Sequence, residues 1–145
     1  MTYLASRNIN TLIIGNNQGW KQNTKLGKVN NQNFIQIPFY KLIQKLEYKC
    51  KLQGINVEVI TEEYTSKSSF LDLEKIKKCS DLKRRGKRIS RGMYRTWKGR
   101  LINADVNGSF NILRKCKPNA FDSFTIGSNG ILDVVVHPLV IKELN

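Results

Sequence analysis

Acidic residues are scarce in this chain. Aspartate and glutamate number 11, against 25 lysines and arginines, which gives a formal charge of +14 and a pI near 9.9. So few carboxylates exclude an acidic, cation-collecting surface and leave a polyanion as the natural partner. Cysteine is also sparse. Cys50, Cys79 and Cys116 are odd in number and not closely paired. That excludes a secreted disulfide framework and fits a reducing compartment, so the expected setting is cytoplasmic, nucleoid association included. The single histidine, His137, has no histidine partner and reads as structural rather than catalytic. No apolar run approaches the about 20 residues of a membrane span. The start, "MTYLASRNINTLIIGNN", lacks a basic flank followed by a long apolar stretch, so no signal peptide is expected. "NTKLGK" lacks the glycine spacing of a phosphate loop.

What the chain does have is concentrated positive charge. Residues 75–100 carry twelve lysines and arginines against Asp81 alone, most of the net charge. Such density repels itself unless an anion neutralises it, and the phosphates of DNA or RNA are the obvious partner. The contrasting reading is a solvated loop with no dedicated ligand. Within it, "KRRGKRISRGMYRTWKGRL" interleaves Tyr94 and Trp97 with basic residues. The candidate nucleic-acid contacts are Arg84, Arg85, Lys87, Arg88, Arg91, Tyr94, Arg95, Trp97 and Lys98. Aromatics beside cations suit base stacking next to phosphate contacts. The same two aromatics would equally serve a small local core. Trp20 and Lys21, in "NNQGWKQ", carry a similar ambiguity.

"NTLIIG" (10–15) reads as a buried strand and the polar, Asn- and Gly-rich stretch 16–33 as a loop. "IPFYKLIQKLEYKCKLQG" (37–54) reads as a helix, with Pro38 in its first turn and Gly54 at its stop. Phe39, Leu42, Ile43, Leu46 and Cys50 make one apolar face, with Lys41, Lys45, Lys49 and Lys51 largely off it. "INVEVI" (55–60) alternates as a strand, with Ile55, Val57 and Val59 inward. Strand, loop, helix, strand is a βαβ crossover, which joins parallel strands. Residues 65–100 lose apolar periodicity. Val106, Phe110 and Leu113 then mark a short helix starting near Asp105 and ended by Pro118, and "GILDVVVHPLVIKEL" (130–144) is a further apolar run. The expected class is α/β, built as an incomplete sheet that looks like the second half of a larger domain. The expected organisation is a partial core at 1–64, a basic insertion at 65–100 and a return to the core at 101–145.

Phosphodiester cleavage by two metal ions needs several carboxylates converging on Mg²⁺ or Mn²⁺. Glu62 and Glu63 directly follow the second strand, and Asp105 opens a helix that could pack on the same sheet. Asp105 is therefore either a metal ligand or a helix cap.

"TLIIGNNQGWKQ", "NNQNFIQIPFYKLIQKLEYKCKLQGI", "EEYTSKSSFLD" and "LINADVNGSFNILRK" together resemble the C-terminal half of TnpB (OrfB-type) proteins. These are transposon-encoded, RNA-guided DNA nucleases related to compact type V CRISPR effectors. The similarity runs collinearly over about residues 5–140, and its specific elements are T-S-x-x-S and A-D-V-N-G-S-x-N-I. It implies a partial RNase H-like (RuvC-type) fold with a zinc-ribbon, target-nucleic-acid-binding insertion, and DNA cleavage by three carboxylates and divalent metal. Asp105 matches the third carboxylate. The second usually follows the strand equivalent to "TLIIG", where Gly15 stands here, and Glu62 or Glu63 is its relocated counterpart. No residue matches the first, which the resemblance assigns to an upstream strand. The resemblance also implies two Cys-x-x-Cys pairs for zinc. "SSFLD" has no cysteine where the first should be, and at most Cys79 stands for the second, so no zinc is expected.

The expectation is thus a transposase-associated protein that binds DNA or RNA, a guide RNA among them, and does not cut alone. Mg²⁺ or Mn²⁺ would enter only if an upstream TnpB fragment completed the site. The alternatives are an independent binding module and a degenerate relic.

Overall fold

A computed structural model describes residues 2–17, 38–78 and 86–121. Trp20, Lys21, Cys79, Arg84, Arg85, His137 and the apolar run 130–144 lie outside the described residues. The architecture is mixed α/β, in two compact units, Met1–Thr61 and Glu62–Asn145.

The first unit contains helix α1 (Thr2–Ser6), strand β1 (Thr11–Asn16), helix α2 (Phe39–Lys51) and strand β2 (Asn56–Thr61). β1 and β2 pair in parallel, from Thr11 opposite Asn56 to Asn16 opposite Thr61. The βαβ reading holds. Pro38 sits at the N-cap of α2, where its missing N–H costs nothing, and its carbonyl accepts from Leu42 N at 3.0 Å. Gly54 is left-handed (φ 68°) just past the helix. Its N–H donates to Lys51 O at 3.2 Å and Ile55 N–H to Cys50 O at 2.9 Å, the paired bonds of a Schellman stop. Cys50 is buried and Phe39, Ile43 and Leu46 are half-buried, so these residues form the inner face. Leu42, expected on that face, is exposed. At 100° per residue it falls at the edge of the stripe. Ile55, just before β2, is buried and Val57 on β2 half-buried as expected, but Val59 is exposed. A two-stranded sheet shields its members only partly, so the in-out alternation is blurred.

The second unit holds strands β3 (Lys87–Ser90), β4 (Met93–Arg95) and β5 (Leu101–Asn103) and helix α3 (Ala104–Cys116). The strands form an antiparallel sheet in the order β3-β4-β5. β5 pairs with β4, so this sheet carries past residue 100 and runs directly into α3. Phe70, Leu71, Tyr94, Ile102 and Ala104 form its core, with Val106, Phe110 and Phe121 packed against them. Phe70 stacks on Phe110 with centroids 4.8 Å apart, and Phe121 meets both rings edge-on. The stretch without apolar period thus supplies three core residues from irregular positions. They are spaced by a loop and a very short strand, where neither helical nor strand periodicity operates.

Candidate nucleic-acid interface

The second unit presents a basic hairpin on a base held by buried polar side chains. The base begins with the loop after β2. Tyr64 (φ 66°) and Leu73 (φ 51°) are both left-handed there, a conformation that costs on the order of 1–3 kcal/mol for such residues. Helix α3 holds the loop in place. Asn107, fully buried, accepts from Phe70 N at 2.9 Å through Oδ1 and donates to Ser68 O at 2.9 Å through Nδ2. Asn111, also fully buried, donates to Thr65 O at 2.9 Å and Ser68 O at 2.7 Å. One turn on, Arg114 donates to Asn111 Oδ1 and to Glu74 O. Burial draws the Arg114 guanidinium below its usual pKa, and the neighbouring Glu74 carboxylate acts in the opposite sense. The T-S-x-x-S and A-D-V-N-G-S-x-N-I elements are therefore two halves of one hydrogen-bonded junction.

Two acids extend this junction to the hairpin. Glu74 Oε2 accepts from Ser69 N at 2.8 Å and Oε1 from Gly86 N at 3.3 Å, tying the loop to the start of β3. Asp72 Oδ2 accepts from Trp97 N at 3.0 Å, fixing the turn between β4 and β5. Tyr94 is only 1% exposed, and its hydroxyl donates to Lys67 O at 3.1 Å. It belongs to the core rather than to a binding surface. Trp97, three residues later, is 53% exposed. Strand alternation and the turn separate two aromatics that the sequence treats alike.

On this base, residues 86–100 carry six cations and no acid. Lys87, Arg88, Arg91, Arg95 and Lys98 are all exposed. Arg88, Ile89, Ser90 and Arg91 line a shallow depression on the hairpin. Arg88 also has structural work. Its guanidinium donates to Ser90 O and Arg91 O, closing the turn beside a bulge between Arg88 and Ser90. Its Nη2 lies 3.8 Å from Asp105 Oδ1. Arg84 and Arg85 fall outside the described residues.

Asp105 does not cap α3. Asn103 does, accepting from Asp105 N at 2.9 Å and Val106 N at 3.1 Å. Ala104 N donates to Gly92 O at 2.9 Å, which fastens the helix start to the hairpin turn. The Asp105 side chain stands in the first turn, 87% exposed. A carboxylate there is favoured by the helix dipole. Glu62 is half-buried and Glu63 exposed, both in the loop after β2. Among the described residues, no three His, Cys, Asp or Glu side chains gather to hold a metal ion. The described residues thus do not by themselves gather a two-metal centre. The four-thiolate zinc set that the resemblance implies exceeds the three cysteines of the chain, of which Cys50 lies on α2 and Cys116 at the end of α3. Two hydroxyls of the loop are already engaged: the Ser68 Oγ proton is shared between Tyr64 O and Lys75 O, and Ser69 Oγ accepts from Asp72 N.

Asn107, Asn111, Asp72 and Glu74 are the residues that sequence reasoning passed over. Asn107 and Asn111 lie four apart, flanking the apolar Phe110 on the inward side of α3, and polar residues at core spacing were the available signal.

No curated protein and no solved structure matches the chain. A family model, Cas12f1-like, TNB domain, matches residues 39–112, just over half of the chain. The match takes in the loop, the hairpin and most of α3, the parts joined by the asparagine junction. No helix among the described residues is long and apolar enough to cross a membrane. The chain belongs to the Cas12f1-like TNB domain family, a TnpB-like family of nucleic-acid-binding proteins.

Proposed function

We propose that this chain binds DNA or RNA through the β3–β4 hairpin and the Trp97 turn, and that it does not cut nucleic acid alone. The observation carrying this reading is the exposed set Lys87, Arg88, Arg91, Arg95 and Lys98 beside exposed Trp97, with no acid among residues 86–100. Cations neutralise phosphates and release counterions, while an indole offers a face on which an unpaired base can stack. The descent is from an RNA-guided DNA endonuclease of TnpB type. In that reading the parallel βαβ of the first unit is part of an RNase H-like (RuvC-type) core, and the second unit is its target-binding insertion. That insertion is held by hydrogen bonds where relatives of the resembled type use zinc. Guide RNA is one candidate ligand.

Fluorescence anisotropy with labelled DNA and RNA oligonucleotides tests the binding. Five phosphate contacts give a slope of log K against log salt of roughly −4.5 on duplex DNA. Neutralising Lys87, Arg91, Arg95 and Lys98 together should flatten it by about 3.6. Unchanged affinity and slope would refute the proposal.

Exposed Asp105 at the head of α3 favours a second reading. Here the chain is one piece of a nuclease, and another polypeptide completes a Mg²⁺ or Mn²⁺ site with Asp105 and Glu62 or Glu63. Both readings expect no cleavage from the purified chain alone with either ion and DNA, and cleavage that appears only when a polypeptide carrying the missing carboxylate is added would favour the second. Cleavage that is abolished by Asp105→Ala would overturn the non-cutting reading.

A further inference from the structure

Helix α2 carries a second surface that the hairpin does not account for. Its inner stripe is Phe39, Ile43, Leu46 and Cys50. The opposite half-turn holds Tyr40, Lys41, Gln44, Lys45, Tyr48, Lys49 and Lys51, every one exposed. Tyr40 is 73% exposed and Tyr48 65%. At 100° per residue, Tyr48 falls beside the row Lys41–Lys45–Lys49. The three lysines are four residues apart, a rise of about 6 Å per step, a pitch comparable with that of successive phosphates along a strand. The helix has one acid, Glu47, which lies beyond the edge of this face toward the inner stripe. A merely solvated helix face would be expected to mix acids with bases. This one is uniformly cationic and places two phenol rings in water.

We infer that this face of α2 is a second nucleic-acid contact, in which Lys41, Lys45 and Lys49 follow the phosphates of one strand, Tyr48 packs beside that row against its sugars or unpaired bases, and Tyr40, at the far edge of the face, meets the strand where it passes the first turn. Charge complementarity selects the occupant. A protein partner seated on two tyrosines would have to neutralise a row of lysines, whereas a polyanion does so by its own repeat. The surface lies in the first unit and does not depend on the hairpin for its argument.

The test uses the full chain and labelled single-stranded RNA and DNA oligonucleotides. The triple variant K41Q/K45Q/K49Q is expected to bind about tenfold more weakly and to lose about 2 from the salt slope. Y40A/Y48A is expected to weaken binding while keeping the slope. All five positions are exposed, and circular dichroism verifies the fold of each variant. Lysine acetylation of the unmodified chain, read by mass spectrometry, gives a readout without mutation: Lys41, Lys45 and Lys49 should be protected when oligonucleotide is bound. Unchanged affinity and slope in the triple variant, or protection confined to Lys87 and Lys98, would overturn the inference while leaving the hairpin proposal intact. Loss of binding in the α2 variant with none in the hairpin variant would support the inference and refute the hairpin proposal. Dimerisation in light scattering that is abolished by Y40A/Y48A would overturn it in favour of a second copy of this chain.

Discussion

Asn107→Ala separates a structural role for the A-D-V-N segment from a catalytic one. The side chain is fully buried, and its loss acts on two loop residues. The Phe70 N–H loses its Oδ1 acceptor in the middle of the core, and an unsatisfied buried donor costs about 1–3 kcal/mol. The Ser68 carbonyl loses one donor but keeps Asn111 Nδ2 at 2.7 Å, so that loss is smaller, about 0.5–1.5 kcal/mol. The total is about 2–4 kcal/mol. Urea denaturation followed by far-ultraviolet circular dichroism should show the midpoint falling by about 1–2 M at a typical slope. Amide exchange at Phe70 should accelerate more than at Ile102, whose protection comes from the β4–β5 ladder. A destabilisation below about 0.5 kcal/mol, in the range of ordinary surface substitutions, would refute the reasoning.

Other substitutions probe the same unit. Gly86→Ala puts a Cβ 2.7 Å from the Tyr94 hydroxyl oxygen and 3.2 Å from Ser69 Cβ, and should lower stability by about 1–3 kcal/mol in thermal or urea melts. Tyr94→Ala empties the core and should cost about 3–5 kcal/mol, whereas Trp97→Ala should leave the melt almost unchanged and weaken oligonucleotide binding by about 1–3 kcal/mol in anisotropy titrations. Asp105→Asn removes a charge 3.8 Å from Arg88 and should raise DNA affinity two- to fivefold or so, with stability moving by less than about 1 kcal/mol because the pair is exposed.

The parallel βαβ was legible because each of its signals is local. A short apolar run, a three-four spacing and a Pro-to-Gly frame each need only a few neighbouring residues to be read. Leu42 and Val59 were misassigned because periodicity marks a face but not its width. The second unit was harder to read. Its core residues Phe70, Tyr94 and Ile102 come from a loop and two three-residue strands, and nothing periodic joins them. The basic character of residues 86–100 was plain from composition. Which of its aromatics faces water was not, because that depends on Tyr94 reaching Lys67 O, 27 residues away. Asp105 drew attention as the rare carboxylate, and the helix cap turned out to be its neighbour Asn103.

These bonds form a continuous path from the helix to the exposed indole. Asn107 and Asn111 fix the loop at Thr65–Phe70, and from that loop Asp72 holds the Trp97 turn and Glu74 the start of β3. Apart from Tyr94, the hairpin and the turn have few apolar contacts of their own, so the position of the proposed surface depends on these carboxylate-to-backbone bonds. A carboxylate accepting from a backbone N–H is a charge-assisted bond, stronger than a neutral pair. It also places negative charge beneath a cationic surface, reducing the self-repulsion of the hairpin without occupying its outer face. Asp72 and Glu74 thus face inward to backbone amides, while Asp105 stands exposed 3.8 Å from Arg88, so the cations that the proposed function offers to phosphate are chiefly Lys87, Arg91, Arg95 and Lys98.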